Sequence, residues 1–324
     1  MSRRILIVGA GLAGSLTAWE LRKRGESFTL IDNGSESASK VAAGMFNPVS
    51  FKRVVEVWNA EKHMDQMLKT YSEIEEELGV KIINKTPIMR VFPNKQYRDH
   101  WQSRITTGHD VARWLSPAND DVPEGVVAPF GFGLVKDAGW VNLPAMTDAI
   151  KHKIEQEGRF KKVAWSMSDG VPDDFDLVID CRGVGAKQEL NNLGFKLAAD
   201  HGEVLTIDVG GLSLNNTTLN RVKWLMPFEG HFKLGATYEW SVENSVPTEA
   251  GKKELIDAIS PALAPEVADQ ISIINHQSGL RPTSHDRRPY IGEVAKNIYA
   301  LNGLGTRGVL VAPSSVLELL NQIT

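Results

Sequence analysis

Cysteine is nearly absent: Cys181 is the single one in 324 residues, which excludes an intrachain disulfide framework and fits a reducing compartment. Long apolar runs are missing too, and no stretch approaches the roughly 20 residues of a membrane-spanning helix, so no membrane association is expected. An excess of positive charge is also lacking. The 36 Lys and Arg against 40 Asp and Glu give a formal net charge of −4, which argues against a nucleic-acid partner. The eight histidines form no constellation with acids that would mark a metal site or a proton relay, so no metal ligand is assigned. MSRRILIVG enters an apolar strand at once, leaving no room for a signal peptide, and a cytoplasmic location is expected.

What is present is concentrated at the start. ILIVGAGLAGSLTAWELRKRGESFTLID reads as apolar strand, glycine turn, amphipathic helix, second strand and acid. Gly9 suits the tight turn, Gly11 lets the backbone approach a pyrophosphate, and Gly14 lets the helix pack close to the strand. Ala10, Leu12 and Ala13 complete the turn, where the free N–H groups and positive dipole end of the helix favour a phosphate anion without a lysine. Asp32 closes the unit, where a carboxylate can accept ribose hydroxyls. A glycine turn in an ordinary βαβ unit shares part of this pattern, but the strand, helix and acid at their offsets predict a dinucleotide site. NAD and FAD both satisfy the fingerprint.

After Asp32 the chain runs NGSESASKVAAGMFNPV, small and glycine-bearing where a nicotinamide dehydrogenase continues its α/β alternation. This segment resembles the D-amino-acid oxidase and glycine oxidase family of FAD enzymes, in which a Ser- and Ala-rich stretch ending in AAGM lies beside the flavin end of the cofactor. The resemblance implies FAD, with contacts from Ala43, Gly44 and Met45 in a segment that would otherwise read as a helix start.

At 42% hydrophobic and 23% charged residues, the chain is long enough for two cores. A helix over Ala60–Leu78 is predicted from Met64, Met67, Leu68, Tyr71, Ile74 and Leu78 on one face. Strands are expected at 88–92 and on both sides of the turn at 129–133, as part of an antiparallel sheet inserted into the dinucleotide fold. A helix at 143–157 and a strand at 160–165 return to the cofactor side, and the resemblance gives Val163 a backbone contact to the adenine. The strand in DFDLVIDCRGVGA then resembles the family's second FAD-contacting strand and ends at Gly183. Cys181 and Arg182 stand where that strand commonly has Ala and Thr. A covalent flavin link at Cys181 is not expected, since a buried strand-end thiol behaves as a small apolar residue. Strands in GEVLTIDV, RVKWLMPF and HFKLGATY and a helical pair across 252–271 complete a substrate side.

The fold class expected is therefore α/β, a Rossmann-like FAD-binding domain over residues 1–60, 140–200 and 277–324. It is interleaved with an α+β substrate domain, residues 61–139 and 201–276, built on an antiparallel sheet. The run from Trp224 to Tyr238 resembles the family's active-site sheet and implies that both aromatics wall the substrate pocket; ordinary sheet packing is the alternative. SGLRPTSHDRRPYIG resembles the segment that supplies the family's carboxylate-binding guanidinium, here Arg281, whose planar fork of donors matches a carboxylate. A structural ion pair with Asp286 or Glu293 is the competing role. NIYALNGLGTRGVLVAPSSVLELL resembles the family's last FAD-binding loop and helix, implying contacts from Gly303, Gly305, Thr306, Arg307, Gly308 and Val309. Its GTRG form is closer to the oxidoreductase domain of the bifunctional enzyme that modifies the tRNA wobble uridine.

These features predict an enzyme that oxidises the C–N bond of a small amino acid or N-substituted glycine by hydride transfer to flavin. Oxidation of carboxymethylaminomethyl-uridine in tRNA is one alternative, and a non-catalytic flavin-binding subunit of a dehydrogenase complex is the other. Sequence does not choose between O2 and another electron acceptor, and it sets neither the oligomeric state nor the chirality of the substrate.

Overall fold

Ile5, Leu6, Ile7 and Val8 are buried on both faces, which suits a central parallel strand. The computed structural model describes residues 3–240 and 244–323 and places Arg4–Val8 between Ser27–Asp32 and Leu177–Asp180 in parallel register. The full order of this six-stranded sheet is Phe160–Lys162, Ser27–Asp32, Arg4–Val8, Leu177–Asp180, Ile298–Asn302 and Tyr290–Ala295, with the last strand antiparallel. The helices Leu12–Lys23, Ala60–Leu78, Leu143–Gln156 and Gly308–Ile323 contribute to one apolar core against it. Tyr71 ties two of them together: its hydroxyl donates to the Val309 carbonyl at 2.8 Å, deep in that core.

A seven-stranded mixed sheet forms the second layer, in the order Ile271–Ser284, Leu197–Val209, His231–Gly235, Trp224–Phe228, Thr218–Asn220, Ile88–Val91 and Phe132–Val135. Leu205, Leu225 and Leu234 on one face pack against Leu255 and Ile259 of the helix Glu249–Ile259. Leu197–Val209 and Ile271–Ser284 pair antiparallel along their whole lengths, from Leu197 opposite Ser284 to Val209 opposite Ile271. They run from the cofactor side to the substrate side, so the expected boundaries at 200/201 and 276/277 fall inside these paired strands.

Three local expectations are corrected. Only one flank of the turn at 129–133 is a strand, Phe132–Val135; Ala128 on the other side closes the turn by accepting from the Gly131 N–H. The second member of the helical pair is a single turn, Pro265–Ala268, because Pro265 starts it and Ile271 already belongs to the long strand. The strand expected at 160–165 ends at Lys162, after which the Val163 N–H donates to the Asp32 carbonyl at 3.1 Å.

Candidate active site

The glycine turn meets its mechanical demands one residue at a time. Gly9 has φ +97°, and a methyl group on it would lie 2.8 Å from the Cys181 carbonyl oxygen. A methyl group on Gly14 would lie 1.8 Å from the Gly9 carbonyl oxygen, so the helix can pack this close only without a side chain. Gly11 caps the helix Leu12–Lys23 with an ordinary φ of −75°, and a methyl group there meets the Ser37 hydroxyl at 3.1 Å. Asp32 fastens the turn from the neighbouring strand, accepting from the Ala10 N–H at 2.7 Å and the Gly34 N–H at 2.6 Å.

A cavity of about 720 Å³ runs beside this turn. Gly9, Gly11, Leu12, Ala13, Asp32, Val163 and Gly183 line it, whereas Ala10 and Gly14 stand behind the turn. Val163 presents a side chain 48% exposed to this space. Gly183, at φ +59°, offers its carbonyl to the Asn302 amide at 2.9 Å. The size and the bare, glycine-rich and hydroxyl-rich wall fit a dinucleotide, whose phosphates need N–H donors and close backbone approach. Sequence reading missed Ser37 and Ser39 in this wall. Ser39 accepts from the Leu12 N–H at 3.0 Å, and both sit in the serine-rich run that follows the acid. Cys181 is buried, and burial followed by the charge of Asp180 pushes its thiol above the usual range, as befits an inert strand-end residue. Arg182 pairs with Asp180 at 2.7 Å and with Glu189.

Cross-strand pairs put their side chains on the same face of a sheet. The register therefore sets Arg281, Asp200, Gly202, Gly235, Trp224 and Lys233 on the face opposite the Leu205–Leu234 core. That face meets Ala43, Met45 and Trp140, which cluster with Trp224, Met226 and Phe228. Two glycines make room on it. A methyl group on Gly202 would sit 1.9 Å from Arg281 Nη2, and one on Gly235 would sit 2.4 Å from the Trp224 ring.

Arg281 lies on the strand Ile271–Ser284, and its guanidinium stacks on Tyr238 at 4.8 Å. Its Nη1 donates to the Thr237 carbonyl at 3.3 Å. The acid beside it is Asp200 at 3.6 Å, neither Asp286 nor Glu293, and that separation exceeds a direct hydrogen bond. Burial pushes the Asp200 carboxyl up, and the Arg281 charge opposes that shift. Tyr238 is 52% exposed and also faces the Lys223 ammonium at 5.7 Å, while Trp224 is half-buried. Lys233 went unread in the sequence, where it looks like one more alternating strand residue. It is 6% exposed over the Phe228 ring at 3.9 Å, and burial lowers its ammonium pKa while Glu229 opposes the shift.

The remaining candidates are spread along this wall. Gly44, at φ +71°, packs so tightly that a methyl group would meet the Val141 carbonyl oxygen at 1.9 Å. Gly303 and Gly305 have φ +72° and +57°, and the chain from Gly303 carries Thr306 and Arg307 outward and Gly308 and Val309 into the core. Among the described residues no group of three or more His, Cys, Asp or Glu could hold a metal ion, and no helix is long and apolar enough to cross a membrane.

The family model for FAD dependent oxidoreductases matches residues 4–316. The glycine oxidase of Pseudomonas aeruginosa is 25% identical, over 97% of this chain and 93% of its own length. The tRNA 5-methylaminomethyl-2-thiouridine biosynthesis bifunctional protein of Idiomarina loihiensis is 22% identical over 99% of this chain, which spans 56% of that protein. Among solved structures, glycine oxidase from Geobacillus kaustophilus has a TM-score of 0.81 at 19% identity, covering 99% of this chain and 95% of its own. Iminodiacetate oxidase from Chelativorans sp. BNC1 has a TM-score of 0.80 at 18% identity, with the same coverage.

Proposed function

The chain belongs to the family of FAD dependent oxidoreductases, and from that premise we propose that it oxidises the C–N bond of a small amino acid or N-substituted glycine. The observation that carries this reading is Arg281. It sits on the sheet face that meets Ala43, Met45 and Trp140, stacked on an exposed tyrosine and not fully engaged by its one acidic neighbour. A guanidinium so placed has donors to spare for a carboxylate, and it stays charged at any working pH.

Gly9, Ala10, Gly11, Leu12, Ala13 and Gly14 with Asp32 would hold the dinucleotide, with Val163 and Gly183 at its adenine side. Ala43, Gly44, Met45 and the segment carrying Gly303, Gly305, Thr306, Arg307, Gly308 and Val309 would border its flavin. When bound, FAD supplies the two-electron acceptor that takes hydride from the substrate's α carbon, leaving an imine that water hydrolyses. Arg281 fixes the carboxylate and thereby aims the α carbon. Trp224 and Tyr238 form the apolar wall that keeps water from it. Residues 1–60, 140–200 and 277–324 would chiefly serve the cofactor and residues 61–139 and 201–276 the substrate, with Arg281 reaching the substrate from the paired strands that cross between them.

The test is the visible spectrum of the purified protein during anaerobic addition of glycine, sarcosine, D-proline and D-alanine in turn. Bleaching of the flavin by at least one of them is expected. A yellow protein bleached by none of these, nor by longer N-substituted glycines, would sink the amine-oxidising reading while leaving the family intact.

A further inference from the structure

A second cavity of about 430 Å³ opens beside the face that carries Arg281. Asn191, Lys196, Trp240, Thr283, His285 and Arg287 line it, and no carboxylate does so among the described residues. Thr283 is 6% exposed, yet its hydroxyl oxygen has no hydrogen-bond partner. It faces Gly305, where a methyl group would lie 3.7 Å from that oxygen. Ala198 pairs with Thr283 as Asp200 pairs with Arg281, so Thr283 is two residues further along on the same face, a step of ~7 Å.

Charge accumulates in the same place. Arg287 and Lys196 both line the cavity, and neither has a carboxylate within 4.0 Å among the described residues; the buried Asp200 carboxylate acts on Arg281 first and on Arg287 more weakly. Two cations on one wall beside an unpartnered buried hydroxyl form a place for an anion.

We infer that the substrate carries two carboxylates: one held by Arg281, and a second, distal one received in the cavity by Arg287 and the Thr283 hydroxyl. The inference rests on the amine-oxidising reading and narrows it to dicarboxylic amines, of which an N-(carboxyalkyl)glycine is the simplest form. A spacer of two to four bonds beyond the nitrogen spans the step between the Arg281 and Thr283 positions.

The test compares N-(carboxymethyl)-, N-(2-carboxyethyl)- and N-(3-carboxypropyl)glycine with N-alkylglycines of the same length on the flavin-loaded protein. Calorimetric binding of glutarate against butyrate gives a readout that requires no turnover. One dicarboxylate is expected to exceed its uncharged counterpart in kcat/KM by about tenfold or more, the effect of one charged hydrogen bond. Arg287→Gln should abolish that preference and weaken glutarate, with N-alkylglycine turnover and the flavin spectrum unchanged. Thr283→Val should reduce the preference by a smaller factor. Equal kcat/KM for the two series, with N-alkylglycines turned over normally, would overturn the second subsite and leave amine oxidation standing. Glutarate binding no tighter than butyrate would overturn it also. Failure of every amine to reduce the flavin would instead overturn the reading beneath it.

Discussion

Arg281 is held by contacts of different kinds, and its replacement separates them: a stack on Tyr238, a hydrogen bond to the Thr237 carbonyl and an ion pair with Asp200. Arg281→Gln keeps much of the volume and removes the charge. The KM for amino-acid substrates should rise by ~10- to 150-fold, the equivalent of about 1.5 to 3 kcal/mol for a charged hydrogen bond, in steady-state assays with the flavin still bound. The same change strips Asp200 of the group that opposes its upward shift. A carboxyl whose folded pKa is raised adds stability below its unfolded pKa, and that contribution is lost as pH rises through the folded value. The Tm deficit of Arg281→Gln should therefore be larger at pH 8 than at pH 5, and Asp200→Asn in that background should recover part of it. Lys233 has the opposite sign. Burial holds its ammonium below the usual range, so stability increases as pH rises toward the unfolded pKa. Lys233→Met should raise Tm at pH 7, and by less toward pH 10, as the ammonium that burial disfavours comes to be lost in both states. A Tm gain that does not shrink with pH would mean that the ammonium is not destabilising there.

At the scale of elements, the strand–turn–helix unit distinguishes two glycines that look alike in the sequence. The Gly14 position faces backbone, at 1.8 Å from the Gly9 carbonyl oxygen, whereas the Gly11 position faces only the Ser37 side chain at 3.1 Å. Gly14→Ala should push the helix Leu12–Lys23 off its strand, at a cost of about 1 to 3 kcal/mol or more, measured by denaturant unfolding. Gly11→Val should leave the unfolding midpoint of the FAD-free protein nearly unchanged and abolish FAD binding, because its bulk enters the cavity rather than the packing. Both glycines were legible because this unit is local: its periodicity and spacing lie within 28 consecutive residues. The helix Ala60–Leu78 was legible for the same reason, with Met64, Met67, Tyr71 and Ile74 buried on the face that its pattern marks. Long-range pairing leaves no such mark. The stretch Ser278 to Ser284 carries Gly, Pro and Arg and has no strand periodicity of its own, and it is a strand because Leu197–Val209 lies beside it. Asp200 as the neighbour of Arg281, and Thr283 two positions beyond, follow from that register and from nothing adjacent in sequence.

Over the whole molecule, the cofactor cavity draws its walls from segments far apart in the chain. Gly9 and Asp32 come from the first parallel strands, Val163 and Gly183 from the middle, and Leu280 and Asn302 from the end. The unfolded chain assembles no such wall, so FAD binds the native state alone and stabilises it by mass action. At a free FAD concentration of 100 times Kd the gain is about 2.7 kcal/mol, and it grows with the logarithm of concentration. Stripping the flavin should therefore lower the unfolding midpoint, and titrating FAD back should raise it along that logarithmic course. The paired strands Leu197–Val209 and Ile271–Ser284 carry the effect beyond the cofactor layer, because they join the cavity wall at Gly279 to the core under the second sheet at Leu205 and Ile207. Hydrogen exchange should then slow on addition of FAD at the Leu205 and Leu234 amides as well as along Arg4–Val8. Protection confined to the parallel sheet would mean that the two layers unfold independently; in the Gly11→Val protein, neither layer should respond to FAD at all.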